Sequence, residues 1–473
     1  MASIWQFVAD MATSTPAVLL DLNSGAGMRV LLGWTLNPPT YEKNYAGGSL
    51  RHGQRLTRSV AQNRILSIPV EINKTSAALA AQAIEDLGRQ IAVDNILKVQ
   101  LEGGTPVFFR TFADPDYAAS LRSVFTQDSS HVLSIEAEPF AYGPRVEVTG
   151  SPFTVSNDPA AGTNPCRFDV TGVLGDVETP LLLLATSTGA SGAPSGLVNK
   201  WTHIATRRRG TPGNYANLIQ AEVMLASTDT ATAVDATMSG GNKMRCTFAT
   251  NTALTVRLSD QFPENNVATV EARGEYWVYA KVAKTVAGDN INVQFRYGTG
   301  SVNHVINDVV ALPLVAGPML VNLGKIPVPS YADPGMHGFS GVQLKALTSW
   351  VGLYAQRVSG TGSLDIDFLY FMPCDDQTLI IKFPSTDTTY AIDGTTDAGG
   401  SVYSLNAGLD TVQNIAFPPQ ITGGGGFPEV IPGQTNRIHF LRHVNPDGSV
   451  DALTDTTTIR AYYWPRWREF TRP

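Results

Sequence analysis

Only one stretch of this chain spaces its apolar residues for a helix. From Thr75 or Ser76, both candidate N-caps, to about Ala92, the residues Ala80, Ala83, Ile84, Leu87 and Ile91 recur at three- and four-residue intervals. Almost everything else alternates short runs rich in Val, Ile, Thr and Tyr with clusters of Gly, Pro, Asn and Asp, the pattern of antiparallel sandwiches and barrels. Such a chain builds its cores from sheets packed on sheets. The fold class expected is therefore mainly β: an α+β N-terminal domain with one main helix, followed by β-sandwich or jelly-roll domains. With 473 residues, 43% of them hydrophobic, there is enough apolar side chain for two to four such cores.

Several classes are excluded by the same residues. A charged fraction of 16% with 9% aromatics fits packed domains rather than a solvated, disordered chain. No run approaches 18 uninterrupted apolar residues, so no membrane partner is expected. The opening MASIWQFVADMATSTP has neither a basic region nor a sustained apolar one, so no secretory leader is expected. Three scattered cysteines, Cys166, Cys246 and Cys374, make neither a disulfide framework nor a Cys-rich metal site. The net charge of -7 is spread, with 12 basic and 14 acidic residues in 1–150, 15 and 16 in 151–374, and 7 and 11 in 375–473. No segment is a basic surface, which disfavours tight non-specific nucleic-acid binding.

The order of the elements suggests three parts. Strands at 65–72, 96–101, 107–111 and 132–138 surround the helix in a first domain, 1–145. Strands at 145–148, 166–170 and 179–184 follow, and then the small, flexible run TSTGASGAPSG (186–196) suits a domain junction. Eight strand candidates come next, at 220–226, 243–249, 254–258, 275–282, 291–297, 319–326, 349–357 and 364–371, the number expected of a jelly roll. A final β region begins at 378 and closes with strands at 437–441 and 457–463. The domains read as 1–145, then 146–187 joined to 375–473, with 188–374 between them.

Chemistry is scarce. The seven histidines contain no HExxH; His439 and His443 stand four apart without a supporting carboxylate, so neither a metal nor any other cofactor is expected. No GxSxG or GxxxxGK[ST] occurs, and the glycines 423–426 lack the strand-to-helix setting of a phosphate loop, which leaves a turn. Asp365 and Asp367 alternate on one strand: a cation or acid/base pair, or a polar outer face opposite Leu364, Ile366 and Phe368, the latter preferred. Arg207, Arg208 and Arg209 read as a solvated loop. No residue is assigned a catalytic role, and the chain reads as no enzyme. The aromatics Trp277, Tyr279, Trp350 and Tyr354 fall on predicted strands and are the candidate platform for stacking on a glycan, although alternation makes either Trp277 with Tyr279 or Tyr276 with Val278 a core pair.

Four blocks of the first 145 residues carry a family likeness: RHGQRLTRSVAQNRILSIPVEI (51–72), the Ala-rich helix, NILKVQLEGGTPVFFRTF (95–112) and VLSIEAEPFAYGP (132–144). They resemble the N-terminal domain of siphophage distal tail proteins. NPCRFDVTGVLGDVETPLLLLATS (164–187), DDQTLIIKFPSTDTTYAIDG (375–394) and GGGGFPEVIPGQTNRIHFL (423–441) resemble the split galectin-like sandwich of those proteins. GEYWVYAKV (274–282) and GSLDIDFLYFMP (362–373) resemble the carbohydrate-binding-like jelly rolls inserted in extended forms. The resemblance implies a virion structural protein: six copies in a ring, joining the tail tube protein to the hub or tip protein at the distal end of a long non-contractile tail, with the tape-measure protein as a further neighbour. It implies assembly in the bacterial cytoplasm, DNA met only in transit through the channel, and an outward module facing host cell-wall glycans. The competing reading is a secreted carbohydrate-binding or carbohydrate-active jelly-roll protein; the absent leader and absent acid/base pair count against it.

Overall fold

The computed structural model describes residues 3–25, 27–47, 54–121, 128–157, 166–188, 201–207, 217–235, 238–249, 253–262, 274–299, 302–328, 349–374, 378–382, 389–395, 400–405, 412–413, 420–421, 426–444, 450 and 456–469. The chain is mainly β and divides into two compact units. One comprises Met1–Glu147, Val173–Thr179 and Tyr462–Pro473; the other comprises Val148–Gly172 and Pro180–Ala461.

The first unit is an antiparallel sheet with a helix on one face. Its strands lie in the order Val18–Asp21, Ile4–Val8, Asn95–Gln100, Val107–Thr111, Asp128–Ala137, Arg64–Asn73 and Met28–Val30. The helix α1, Ala77–Ile91, starts where the Ser76 hydroxyl accepts the Leu79 amide at 3.3 Å. Its buried stripe is the one its spacing predicts, Ala80, Ala83, Ile84, Leu87 and Ile91, joined by Gly88. That stripe shares a core with Leu66, Ile68, Val70 and Ile72, the alternate residues of Arg64–Asn73, and with Leu133 and Ile135 opposite them. Each large aliphatic side chain buried there contributes about 1.5–3 kcal/mol. A second helix, α2 (Pro115–Leu121), is absent from the sequence-based reading; the Asp114 carboxylate accepts the Tyr117 amide at 2.9 Å where it begins. On the other face, Val8, Met11, Phe108 and Tyr142 form a smaller cluster with Ile96 and Trp464. Among the described residues, the hairpin of Tyr41–Gly47 and Gln54–Ala61 forms a sheet of its own.

The second unit holds four sheets, in two pairs. In the first pair, one sheet runs Thr456–Tyr463, Thr179–Thr188, Thr389–Asp393, Ser401–Leu405, Val412–Gln413, and the other runs Arg167–Val170, Asn436–Val444, Trp201–Arg207, Thr378–Lys382, Gln420–Ile421. Phe153, paired to the first sheet, stacks on Phe168 of the second at 4.6 Å. In the second pair, Thr230–Val234, Asn242–Cys246, Leu364–Pro373, Gly274–Lys284 and Gly317–Val328 form one sheet, and Leu225–Ala226, Thr255–Phe262, Ser349–Ser359, Asn290–Thr299 and Val302–Ile306 form its mate. The two face each other across one core, with Tyr276, Val278, Leu369 and Phe371 meeting Leu258, Val293, Phe295 and Leu353.

The second pair is nested inside the first. Its strands all fall between Trp201–Arg207 and Thr378–Lys382, which are hydrogen-bonded neighbours with Ala205 opposite Thr378. The chain therefore leaves and re-enters the sheet at adjacent points, which lets a domain be inserted without distorting its host. Trp201–Arg207, placed by the sequence reading inside the segment 188–374, is thus a strand of the host sheet. Residues 186–188 of the expected junction end the strand Thr179–Thr188; 189–196 lie outside the described residues. All eight strand positions expected between 220 and 371 fall on strands, although 220–226 is broken by a short 3-10 turn at Ala221–Val223.

Candidate functional site

The four aromatics singled out from the sequence fall on two different sheets. Trp277 and Tyr279 belong to Gly274–Lys284, and Trp350 and Tyr354 to Ser349–Ser359 in the facing sheet. Alternation sends Tyr276, Val278, Ala280 and Val282 into the core between those sheets and turns Trp277, Tyr279 and Lys281 to the other side. That other side is no solvent face. It packs on the host sheet, where Tyr279, Phe368, Tyr370, Met372 and Leu320 meet Ala205, Leu441, Val444, Val450 and Cys166. Tyr276 and Val278 are core, and Tyr279 is buried in a second layer with Trp277 packed at its edge. Tyr279 is fully buried, so it cannot stack on a sugar; its hydroxyl lies by Asn322, Cys166 and Cys374, and burial pushes its pKa up. Trp277, half-buried, is engaged by His203 at 4.7 Å between ring centroids and by the Lys325 ammonium at 5.3 Å.

Buried polar residues lie at and near this junction. The Tyr370 hydroxyl lies 2.7 Å from Nδ1 of buried His439, and Leu320 and Val450 exchange backbone hydrogen bonds. His203 is buried among aromatic rings with both ring nitrogens lacking a hydrogen-bond partner among the described residues, and burial lowers its pKa to about 4. Asp365 and Asp367 do not form the exposed polar face expected of them. Asp365 binds Lys243 and Arg245, at 2.8 and 2.7 Å, and Asp367 meets Lys281 at 2.9 Å with both side chains 1% exposed. A β-bulge explains the error. The register of Gly274–Lys284 against Leu364–Pro373 slips between Lys281 and Val282, which moves Phe368 off the Leu364 and Ile366 face and onto that of the carboxylates. His439 is likewise a buried structural residue; the side chain of His443 and residues Arg208, Arg209 and 423–425 lie outside the described residues. The three cysteines are buried and free. Among the described residues no group of three His, Cys, Asp or Glu could hold a metal ion, and no helix is long and apolar enough to cross a membrane.

The outward face of the facing sheet is different in kind. Val351, Leu353 and Ala355 point to the core, as do Ile291, Val293 and Phe295, so the intervening residues face away. Across the two strands, Asn292 lies opposite Gln356, Gln294 opposite Tyr354, and Arg296 opposite Gly352. The Arg296 guanidinium sits 3.8 Å from the centre of the Tyr354 ring, and its Nε donates to Gln294 Oε1 at 3.0 Å. Tyr354 is therefore the one member of the proposed aromatic platform that is both described and part of a half-exposed polar surface. The sequence search weighed aromatics alone and passed over Arg296. The signal was present in INVQFRYG (291–298), where every second residue from Asn292 to Arg296 is polar.

No family model matches this sequence, and no curated protein matches it. Among solved structures, the chain is similar to the Dit protein (gp 19.1) of phage SPP1, described as a paradigm of the hub adsorption apparatus in phages infecting Gram-positive bacteria. The match has a TM-score of 0.25 and 10% identity, over 79% of this chain and 100% of that one. A chain of the phage P2 baseplate in its activated conformation matches at TM-score 0.24 and 9% identity, over 79% and 99%. A carbohydrate-binding module of the β-sandwich superfamily matches at TM-score 0.17 and 10% identity, over 73% and 98%.

Proposed function

We propose that this chain is a structural subunit of a long non-contractile phage tail, forming a six-membered ring that joins the tail tube to the tip. The observation that carries the reading is the nesting. A sheet-and-helix unit comes first, and the segments resembling the galectin-like sandwich fall on strands of one pair of sheets. The segments resembling the inserted jelly roll fall on strands of a second pair, threaded between two adjacent strands of the first. The three parts are residues 1–145, the split sandwich and the insert, with Trp201–Arg207 counted in the sandwich. The role asks for no catalytic residue. The tail tube, hub or tip, and tape-measure proteins are its partners, and the acidic chain suits a channel through which DNA passes without sticking. Closing the ring places each exposed sheet edge against a neighbour, which removes the aggregation hazard of an open edge. Any contact with host cell-wall glycan is assigned to the insert, on the face bearing Tyr354.

The mass of the purified chain in solution, by light scattering with and without a glycan panel, tests this. The expected mass is about six times 50.7 kDa. A monomer that stays monomeric when mixed with tube and hub proteins overturns it. A glycan-binding monomer favours the second reading, a carbohydrate-binding jelly-roll protein, which the half-exposed polar face around Tyr354 supports.

A further inference from the structure

The polar face of the insert is built around one guanidinium. A chain of hydrogen bonds fixes it from the interior outward: Asn307 Nδ2 donates to the Leu323 carbonyl at 2.7 Å, Gln294 Nε2 to the Asn307 carbonyl at 2.7 Å, and Arg296 Nε to Gln294 Oε1 at 3.0 Å. Gln294 is only 6% exposed, so the acceptor that holds Arg296 is itself held. The Tyr354 ring supports the plane of the guanidinium at 3.8 Å. One nitrogen and one face are thereby committed. The two terminal nitrogens have no hydrogen-bond or carboxylate partner among the described residues. Gly352, directly opposite Arg296, adds no side chain to shield them, and the next two pairs along this face, Gln294 with Tyr354 and Asn292 with Gln356, are uncharged. An arginine held in this way presents a rigid two-pronged donor that matches a carboxylate or a phosphate. The same stacking closes one face of Tyr354 to a sugar ring, so a neutral glycan loses the contact that aromatic platforms usually offer.

We infer that the sheet face centred on Arg296 and Tyr354 binds an anionic saccharide or polyol polymer, gripping its phosphodiester or carboxylate groups through the Arg296 guanidinium. The inference rests on the reading of the insert as the part that meets the cell surface, and it specifies the ligand expected there as a charged one. Asn292 and Gln356, on the same sheet face one pair beyond Gln294 and Tyr354, supply amides for the hydroxyls of the same polymer.

Titration of the full chain with poly(glycerol phosphate), with polygalacturonate and with dextran tests it. Binding to at least one of the two anionic polymers, and not to dextran, is expected; which one binds tells phosphodiester from carboxylate. Arg296→Gln weakens that binding at least tenfold, as does raising the salt to about 0.5 M, and Arg296→Lys weakens it too, because an ammonium keeps the charge but loses the fork. Thermal unfolding of Arg296→Gln shows whether the variant is folded. Undiminished binding by folded Arg296→Gln overturns the inference. Binding to dextran that ignores Arg296 also overturns it while leaving the glycan-contact reading standing, and binding to none of the three overturns both.

Discussion

Burial decides what individual residues of this chain do, more than their chemistry does. His203 is a case with a measurable signature. Its folded pKa of about 4 lies below the ordinary 6.5, so the unfolded chain takes up the proton first as pH falls. Neutral His203 is therefore compatible with full stability above pH 6.5, and stability drains between 6.5 and about 4, by at most about 3 kcal/mol. Burial works to raise Asp365, but its bonds to Arg245 and Lys243 more than offset this and hold it below 3.8, so its own contribution is lost only at lower pH. Denaturant unfolding at pH 7 and pH 4 should show His203→Phe losing less stability than the wild type over that interval; equal losses would show that His203 is not buried neutral. The pair Lys281 and Asp367, each 1% exposed, gives a second test. Removing one charge strands the other in the core, so Lys281→Met should cost about 3–5 kcal/mol, and the double change Lys281→Met with Asp367→Leu should recover much of it. A cost below about 1 kcal/mol for the single change would mean the pair is solvated.

At the level of elements, the sequence was most legible where one periodicity ran undisturbed. Helix α1 shows its apolar stripe and its Ser76 cap openly, and the strand Arg64–Asn73 shows strict alternation. Losing the cap bond in Ser76→Ala should lower stability by about 1 kcal/mol, read from the denaturant midpoint; no change would mean the Leu79 amide finds another acceptor. Helix α2 was missed because seven residues give too short a repeat. The strand Leu364–Pro373 misled for a different reason: it is buried on both faces, and its bulge breaks the alternation at Asp367 and Phe368. Sequence records which residues alternate, but not what covers each side. Hence Trp277 and Tyr279, which read as a sugar platform, line a junction between two sheet pairs. The structure makes that junction a continuous core, so Tyr370→Ala, which removes a buried ring and its bond to His439, should cost about 3–5 kcal/mol. If the insert were merely tethered to its host, the same change would move the unfolding midpoint of the host strands not at all, which hydrogen exchange on Asn436–Val444 would report.

For the whole molecule, the mainly β class could be read in advance, because it follows from counting strands and turn clusters. The candidate binding face could not. It depends on which strands become neighbours, and Asn290–Thr299 meets Ser349–Ser359 only after about fifty intervening residues. The proposed assembly lies a step further on, since a ring is a property of surfaces that only several copies together satisfy. Its geometry is open to direct inspection. Electron micrographs of the purified full chain, averaged without imposed symmetry, should show annular particles with six repeats around a central channel. Averages that show only isolated single-chain particles, at concentrations where the chain is folded, would contradict the assignment to the tail ring.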